Sequence, residues 1–186
     1  MKKSIVSIVL VLNAAFGAGE LSNRRAPSFS LPDSSMVQHD ILDYRGKVLI
    51  IEFMQTKCPS CQELTKVLET KIKPKFGDRL AVLSIVVPPD NIELVKKYVD
   101  VFKVTSPILF DSGQVAGSYS KATPQRPQMY FPHIFLIDQQ GQIRNDWAFT
   151  APKQYPEVLS GDKLIAEVEK LLGAAAPAVK TPAKKK

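Results

Sequence analysis

V-L-I-I-E-F-M-Q-T-K-C-P-S-C, residues 48 to 61, joins an almost continuously apolar run to the only two cysteines of the chain, Cys58 and Cys61. A run of this kind, rich in branched residues, reads as a strand buried on both faces. Cys58 follows four residues after Met54. Pro59 then stands where a helix would have its first residue, the position at which a missing N–H leaves no bond unmade. Leu64, Val67, Leu68 and Ile72 recur at helical spacing, and Pro74 and Gly77 are expected to stop the helix. A cysteine pair at the mouth of such a helix can exchange electrons, hold a metal or staple a loop. A disulfide gains most when it closes a long loop, so a staple across two residues gains little.

Outward from this stretch, P-S-F-S-L-P (27–32) reads as a short edge strand and M-V-Q-H-D-I (36–41) as its partner, with a turn at D-Y-R-G (43–46). Residues 18–26 read as a linker into the domain. Downstream, R-L-A-V-L-S-I-V-V (79–87) is a second buried strand. Asp90 is expected to cap a helix, with Glu93 completing a capping box and Leu94, Val95, Tyr98, Val99 and Phe102 as its apolar stripe. S-P-I-L-F-D (106–111) is a short strand and S-G-Q-V-A-G-S-Y (112–119) a short helix. H-I-F-L-I-D (133–138) is a strand, D-Q-Q-G (138–141) a hairpin turn, and 142–149 the returning strand, with Ile143 and Trp147 expected on one face. A last helix opens at Gly161-Asp162 and ends at Gly173. Strands alternating with helices imply parallel crossovers, and the late hairpin adds antiparallel strands. The expected fold is α/β: one domain over 27–173, a mixed central sheet with helices on both faces and an N-terminal β-hairpin extension.

The ends differ from the middle. Lys2 and Lys3, an apolar run from Ile5 to Leu12, and small residues at Ala14, Ala15, Gly17 and Ala18 follow the order of a secretory signal peptide. Cleavage is expected after Gly17, making 1–17 the signal and the product periplasmic or secreted; an uncleaved N-terminal anchor is the alternative. No cysteine follows the apolar run to carry a lipid. Residues 174–186, A-A-A-P-A-V-K-T-P-A-K-K-K, hold no pattern that could bury a core and are expected to be a disordered tail. The net charge of +7 falls to +5 without Lys2 and Lys3, and to +1 without Lys180, Lys184, Lys185 and Lys186. The basic balance belongs to the ends, which removes the support for a nucleic-acid partner. The lysine tail could still touch an anionic membrane surface peripherally, beside its plainer reading as a solubilising tail.

Taken together, the buried strand, Thr56 two residues before the first cysteine, C-P-S-C, S-P-I-L-F-D-S-G-Q-V-A-G-S-Y (106–119) and F-P-H-I-F-L-I-D-Q-Q-G-Q-I (131–143) resemble the thioredoxin superfamily. More narrowly, they resemble the TlpA and ResA type, a redoxin branch of exported thiol–disulfide oxidoreductases related to AhpC/TSA. The resemblance spans roughly 27–173 and implies a thioredoxin-like fold with no small cofactor. It also implies protein thiols or disulfides as partners, apocytochrome c or a membrane electron donor among them. The chain departs from the pattern at Lys57, where the family usually has Trp, at Phe131 before the proline, and in the long proline-rich A-T-P-Q-R-P-Q-M-Y (122–130). These departures bear on partner choice rather than on reaction class.

A thiolate is the attacking species in disulfide exchange. Cys58 at a helix N-terminus faces unsatisfied N–H groups, which lower a thiol pKa, and Lys57 adds a nearby positive charge. Cys58 is therefore the candidate nucleophile and Cys61, one turn further in, the resolving thiol. Glu52 lies inside the apolar run, where a carboxylate must be paired or raise its pKa, unless its head reaches solvent at a strand edge. By resemblance, Glu52 is the proton acceptor and donor for Cys61. Also by resemblance, Pro132 is a cis proline facing Cys58, with Phe131, Lys57, Pro59 and Ser60 contacting the substrate. His133 could tune the thiolate, though a packed histidine is the plainer reading. A metal-binding module, such as a copper carrier of the related Sco type, is the rival from another class. That type uses CxxxC with a histidine, whereas this chain has CxxC and only His39 and His133. A thiol peroxidase needs Pro-x-x-x-Thr-x-x-Cys, and the matching positions are Ile51 and Gln55 before Cys58, or Met54 and Cys58 before Cys61.

Overall fold

A computed structural model describes residues 19–150 and 155–173. The signal peptide read over 1–17 and the tail over 174–186 lie outside the described residues. In chain order the strands are β1 (Arg24–Arg25), β2 (Ser30–Pro32), β3 (Gln38–Asp40), β4 (Val48–Met54), β5 (Leu80–Val86), β6 (Ile108–Phe110), β7 (His133–Ile137) and β8 (Gln142–Ala148). The helices are α1 (Pro59–Val67), α2 (Lys73–Phe76), α3 (Ile92–Phe102), α4 (Gln114–Ser120), α5 (Pro156–Leu159) and α6 (Asp162–Gly173).

Six strands form one sheet in the order β1-β8-β7-β4-β5-β6, and β2 and β3 make the separate hairpin expected from residues 27–41. β4 is central, parallel to β5 and antiparallel to β7. All seven of its residues are buried, as its almost continuously apolar sequence leads one to expect. Val48 and Ile50 face a core shared with α1, α5 and α6. Leu49, Ile51 and Phe53 face the other side, against α4, the hairpin and Phe29. Gly161, at φ 85°, lets the turn between α5 and α6 lie against Val67 of α1, where a Cβ would sit 2.6 Å from a Val67 methyl.

Four expectations need correction. Residues 19–26 are no linker: Arg24 and Arg25 pair with Ile143 and Gln142, and Leu21 and Ala26 are buried in the core. Pro74 does not stop the first helix, because a π-helical turn at Leu68–Ile72 precedes it and the Lys73 N–H reaches back to the Leu68 carbonyl. The wider turn absorbs the bond that a proline cannot make, and Gly77 at φ 55° ends the helix. Ile143 and Trp147 do not share a face. The ladder steps from Leu136–Asn145 to Ile137–Ile143, so Arg144 is an extra residue that inverts the alternation. Ile143 thus packs with Phe53, and Trp147 with Leu64. Finally, α3 is capped by Asn91, whose side chain accepts the Leu94 N–H at 3.0 Å, and not by Asp90.

If residues 19–26 belong to the core, Leu21→Ala should cost about 2 kcal/mol in urea unfolding, the lower end of buried Leu truncations. A change below about 0.5 kcal/mol, the scale of a surface substitution, would restore the linker reading.

Candidate active site

The C-terminal ends of parallel strands in an α/β sheet gather the loops that carry chemistry. Here the loops after β4 and β5 meet there. The chain leaves β4 at Met54 and turns through Gln55–Cys58, closed by the Cys58 N–H donating to the Gln55 carbonyl at 3.1 Å. Cys58 is the N-cap of α1, and its Sγ accepts the Cys61 N–H at 3.3 Å. Pro59 is the first helical residue, as the sequence indicates.

The two thiols sit in unlike environments. Both are free; Cys58 is half-buried and Cys61 fully buried beside Met54, Val86, Val95 and Tyr98. The Cys61 thiol hydrogen-bonded to Cys58, helped by the N–H groups of Cys61 and Ser60, pulls the Cys58 pKa from 9.0 down to about 6, against the opposing effect of burial. Burial pushes the Cys61 thiol the other way, strongly up, and Cys58 and Glu52 add to the push. Lys57 is exposed on the rim beside Pro59 and half-buried Ser60.

Glu52 is fully buried, set between Ser84 of β5 and Ile134 of β7 in the ladder. Alternation along β4 puts it on the face of Met54, the side of Cys61. The Ser84 hydroxyl donates to its Oε2 over a long 3.4 Å, and Oε1 has no hydrogen-bond partner among the described residues. Burial raises its pKa from 4.5 to about 8, with the Cys58 charge adding to the rise and Ser84 opposing it. A head reaching solvent at a strand edge is therefore not what the fold provides.

Seventy-odd residues on, the Phe131–Pro132 bond is cis, and the Phe131 carbonyl accepts from Cys58 Sγ at 3.7 Å. The register explains the meeting, since Phe53 at the end of β4 pairs with His133. His133 is the packed histidine: buried, stacked on Phe135 at 4.4 Å and paired with Asp146 at 3.4 Å on the opposite face from Cys61. His39 lies in the hairpin, 3.1 Å from Asp33. Among the described residues no group of three or more His, Cys, Asp or Glu side chains is arranged to hold a metal ion. The proline-rich segment before Phe131 is exposed, and Arg126 pairs with Glu20 at 2.5 Å. A cavity of about 270 Å³ under it is lined by Tyr130, His133 and Asp146 but by neither cysteine.

Sequence reasoning missed two supports. Asp90 grips Thr56, and the Tyr98 hydroxyl reaches the Thr65 hydroxyl at 2.7 Å and the Cys61 carbonyl at 3.4 Å. The convergence of parallel strand ends was the available pointer to Asp90, which stands in the loop after β5, past Pro88 and Pro89.

A half-buried thiol of lowered pKa capping a helix, a buried thiol on the face of a buried acid, and a cis proline whose preceding carbonyl meets the first sulfur make up a thioredoxin-like dithiol site. The fold has the same kin: a thiol:disulfide interchange protein of the thioredoxin family from Chlorobium tepidum superposes with a TM-score of 0.63 at 20% identity, covering 81% of this chain and 97% of that one. The family model for AhpC/TSA matches residues 22–146, and the chain belongs to this family, as a thioredoxin-like thiol–disulfide oxidoreductase. It is 30% identical over 132 residues to the thiol-disulfide oxidoreductase ResA of Geobacillus thermodenitrificans, covering 69% of this chain and 70% of that protein. It is 23% identical over 171 residues to the thioredoxin-like protein YneN of Bacillus subtilis, covering 84% and 96%.

An acid whose folded pKa is raised binds more protons folded than unfolded, so stability falls as pH climbs from its unfolded to its folded value. For Glu52 that window runs from 4.5 to about 8. Glu52→Gln should therefore raise the melting temperature, by more at pH 8.5 than at pH 4.5. The full difference is on the order of 4 kcal/mol at about 1.4 kcal/mol per unit. An equal effect at both pH values in thermal scans would mean that Glu52 is not the group that titrates.

Proposed function

We propose that this protein is an exported disulfide reductase that acts on partner proteins through Cys58 and Cys61. The observation that carries the reading is the contrast between the two sulfurs: one thiolate poised at the helix mouth, one thiol withheld beneath it. Cys58 Sγ attacks a partner disulfide, the partner S–S bond breaks, and one partner sulfur leaves as a thiolate. The new Cys58–partner disulfide no longer carries the charge that helped to raise the Glu52 pKa. With that charge gone Glu52 gives up its own proton more readily, and only the ionised carboxylate can take the Cys61 proton. The Cys61 thiolate attacks Cys58 and expels the second partner sulfur. The partner gains two electrons, one of its sulfurs taking the Cys61 proton back from Glu52 and the other a proton from solvent, and the chain is left with the Cys58–Cys61 disulfide.

Partner contact falls to the rim. Pro132 and Phe131 present backbone to an extended segment by strand addition, and Lys57, Pro59 and Ser60 border it. The reductant direction is supported by the Cys58 pKa of about 6, nearer thioredoxin at about 7 than DsbA at about 3.5. Apocytochrome c is the partner the family resemblance implies, and a membrane dithiol the implied electron donor. Export is supported by the charged, apolar, small-residue order of residues 1–17. Among the described residues no helix is long and apolar enough to cross a membrane.

Cys61→Ser, expressed in the native compartment, should accumulate mixed disulfides that reducing agent releases, and Cys58→Ser should accumulate none. Equal trapping by the two variants, or none by either, sinks the reading. The reduction potential of the purified protein should lie nearer about −270 mV than about −120 mV, and a value at the upper end would reverse the direction.

A further inference from the structure

Asp90 stands between β5 and α3, where the sequence suggests a helix cap. Asn91 takes that role and leaves the Asp90 carboxylate to reach across to the loop before Cys58. Its Oδ2 accepts the Thr56 N–H at 2.8 Å and its Oδ1 accepts the Thr56 hydroxyl at 2.5 Å. The Gln62 side chain, from α1, donates to the Thr56 carbonyl at 2.9 Å. Every polar group of this buried residue is thus engaged, two of the three by one carboxylate 34 residues away. Hydrogen bonds to an ionised acceptor are about twice as strong as neutral ones.

Thr56 lies inside the Gln55–Cys58 turn, so whatever holds Thr56 sets where Cys58 Sγ points. The sulfur must stay aimed at the Ser60 and Cys61 N–H groups, and a loss of aim weakens those bonds first. The same stretch of chain continues into α3, which carries Tyr98 to the Cys61 carbonyl and to Thr65. One element therefore braces α1 ahead of the first cysteine and behind the second.

We propose that Asp90 is a positioning residue for Cys58: through its two bonds to Thr56 it fixes the turn that holds the sulfur over the opening of α1. The inference rests on Cys58 being the nucleophile. It differs in sign from a simple charge effect. A negative group near a thiolate disfavours it, so removing that charge alone would lower the Cys58 pKa. Loosening the turn raises it.

The test is alkylation of the reduced full-length protein by iodoacetamide across pH, with Cys58 followed by peptide mass mapping. In the unsubstituted protein the midpoint should lie near 6. In Asp90→Ala it should rise by about one unit, a roughly fivefold loss of thiolate at pH 6. Thr56→Val, which keeps the N–H and loses the hydroxyl, should shift it in the same direction by less, and Thr56→Ser should bring it back. An unchanged midpoint, or one that falls, in Asp90→Ala overturns the proposal whatever happens to the melting temperature. Should Asp90→Ala fail to fold, the Val and Ser pair at Thr56 decides in its place: no shift in Val, or no recovery in Ser, overturns it equally. A Cys58 without a depressed midpoint in the unsubstituted protein would instead overturn the nucleophile reading, and this proposal with it.

Discussion

β4 can lie nowhere but the middle of the sheet. Its residues are apolar on both sides except for Glu52, so it needs a neighbouring strand on each edge and a packed layer on each face. That requirement determines the site. The parallel ladder to β5 brings Asp90 beside the loop that leaves β4, and the antiparallel ladder to β7 brings Phe131 and Pro132 to its other flank. A slip of one residue in either ladder would turn Glu52 away from Cys61 and carry every apolar side chain to the wrong layer. The geometry of the dithiol is thus a by-product of core packing in the strand before it.

Burial pushes three acidic groups the same way, with different outcomes. It keeps a proton on Glu52 and on Cys61, where few donors compensate, and is outweighed at Cys58 by hydrogen bonds. What separates Cys58 from Cys61 is one turn of helix. The first residue sees N–H groups that have no partner, whereas the second lies past them. Proton affinity in this site is graded along the helix, by the Cys61 thiol and the N–H groups on Cys58 and by burial on Cys61 and Glu52, with the charges of Cys58 and Glu52 widening the gap.

Legibility in the sequence followed locality. The buried strands, the helix opening at Pro59, the D-Q-Q-G hairpin and the cysteine pair are written in contiguous residues, and each forms where its pattern places it. The features that were not legible depend on distant partners or on backbone detail. Arg24 and Arg25 show no apolar pattern, and become a strand only because the edge of β8 is open to them. The bulge at Arg144 has no glycine to mark it, so strict alternation misplaces Trp147. Asp90 and Asn91 are comparably good caps, and the choice between them was made by Thr56, which no local window contains. Of the site, the two sulfurs, Glu52 and the proline were visible, and the residues that hold them in place were not.

The two outer edges of the main sheet are slight. One is β1, two arginines long; the other is the three-residue β6, over which the hairpin closes through a bridge between Asp33 and Leu109. Short, charged or covered edges discourage edge-to-edge association of like chains. On the proposed reading, a site that receives a partner's backbone beside a reactive sulfur meets a hazard, since copies of the same chain also carry extended segments. Among the described residues, the main sheet therefore ends on both sides in strands too short to template a long ladder, and that restraint lies in the margins of the sheet, away from the sulfurs.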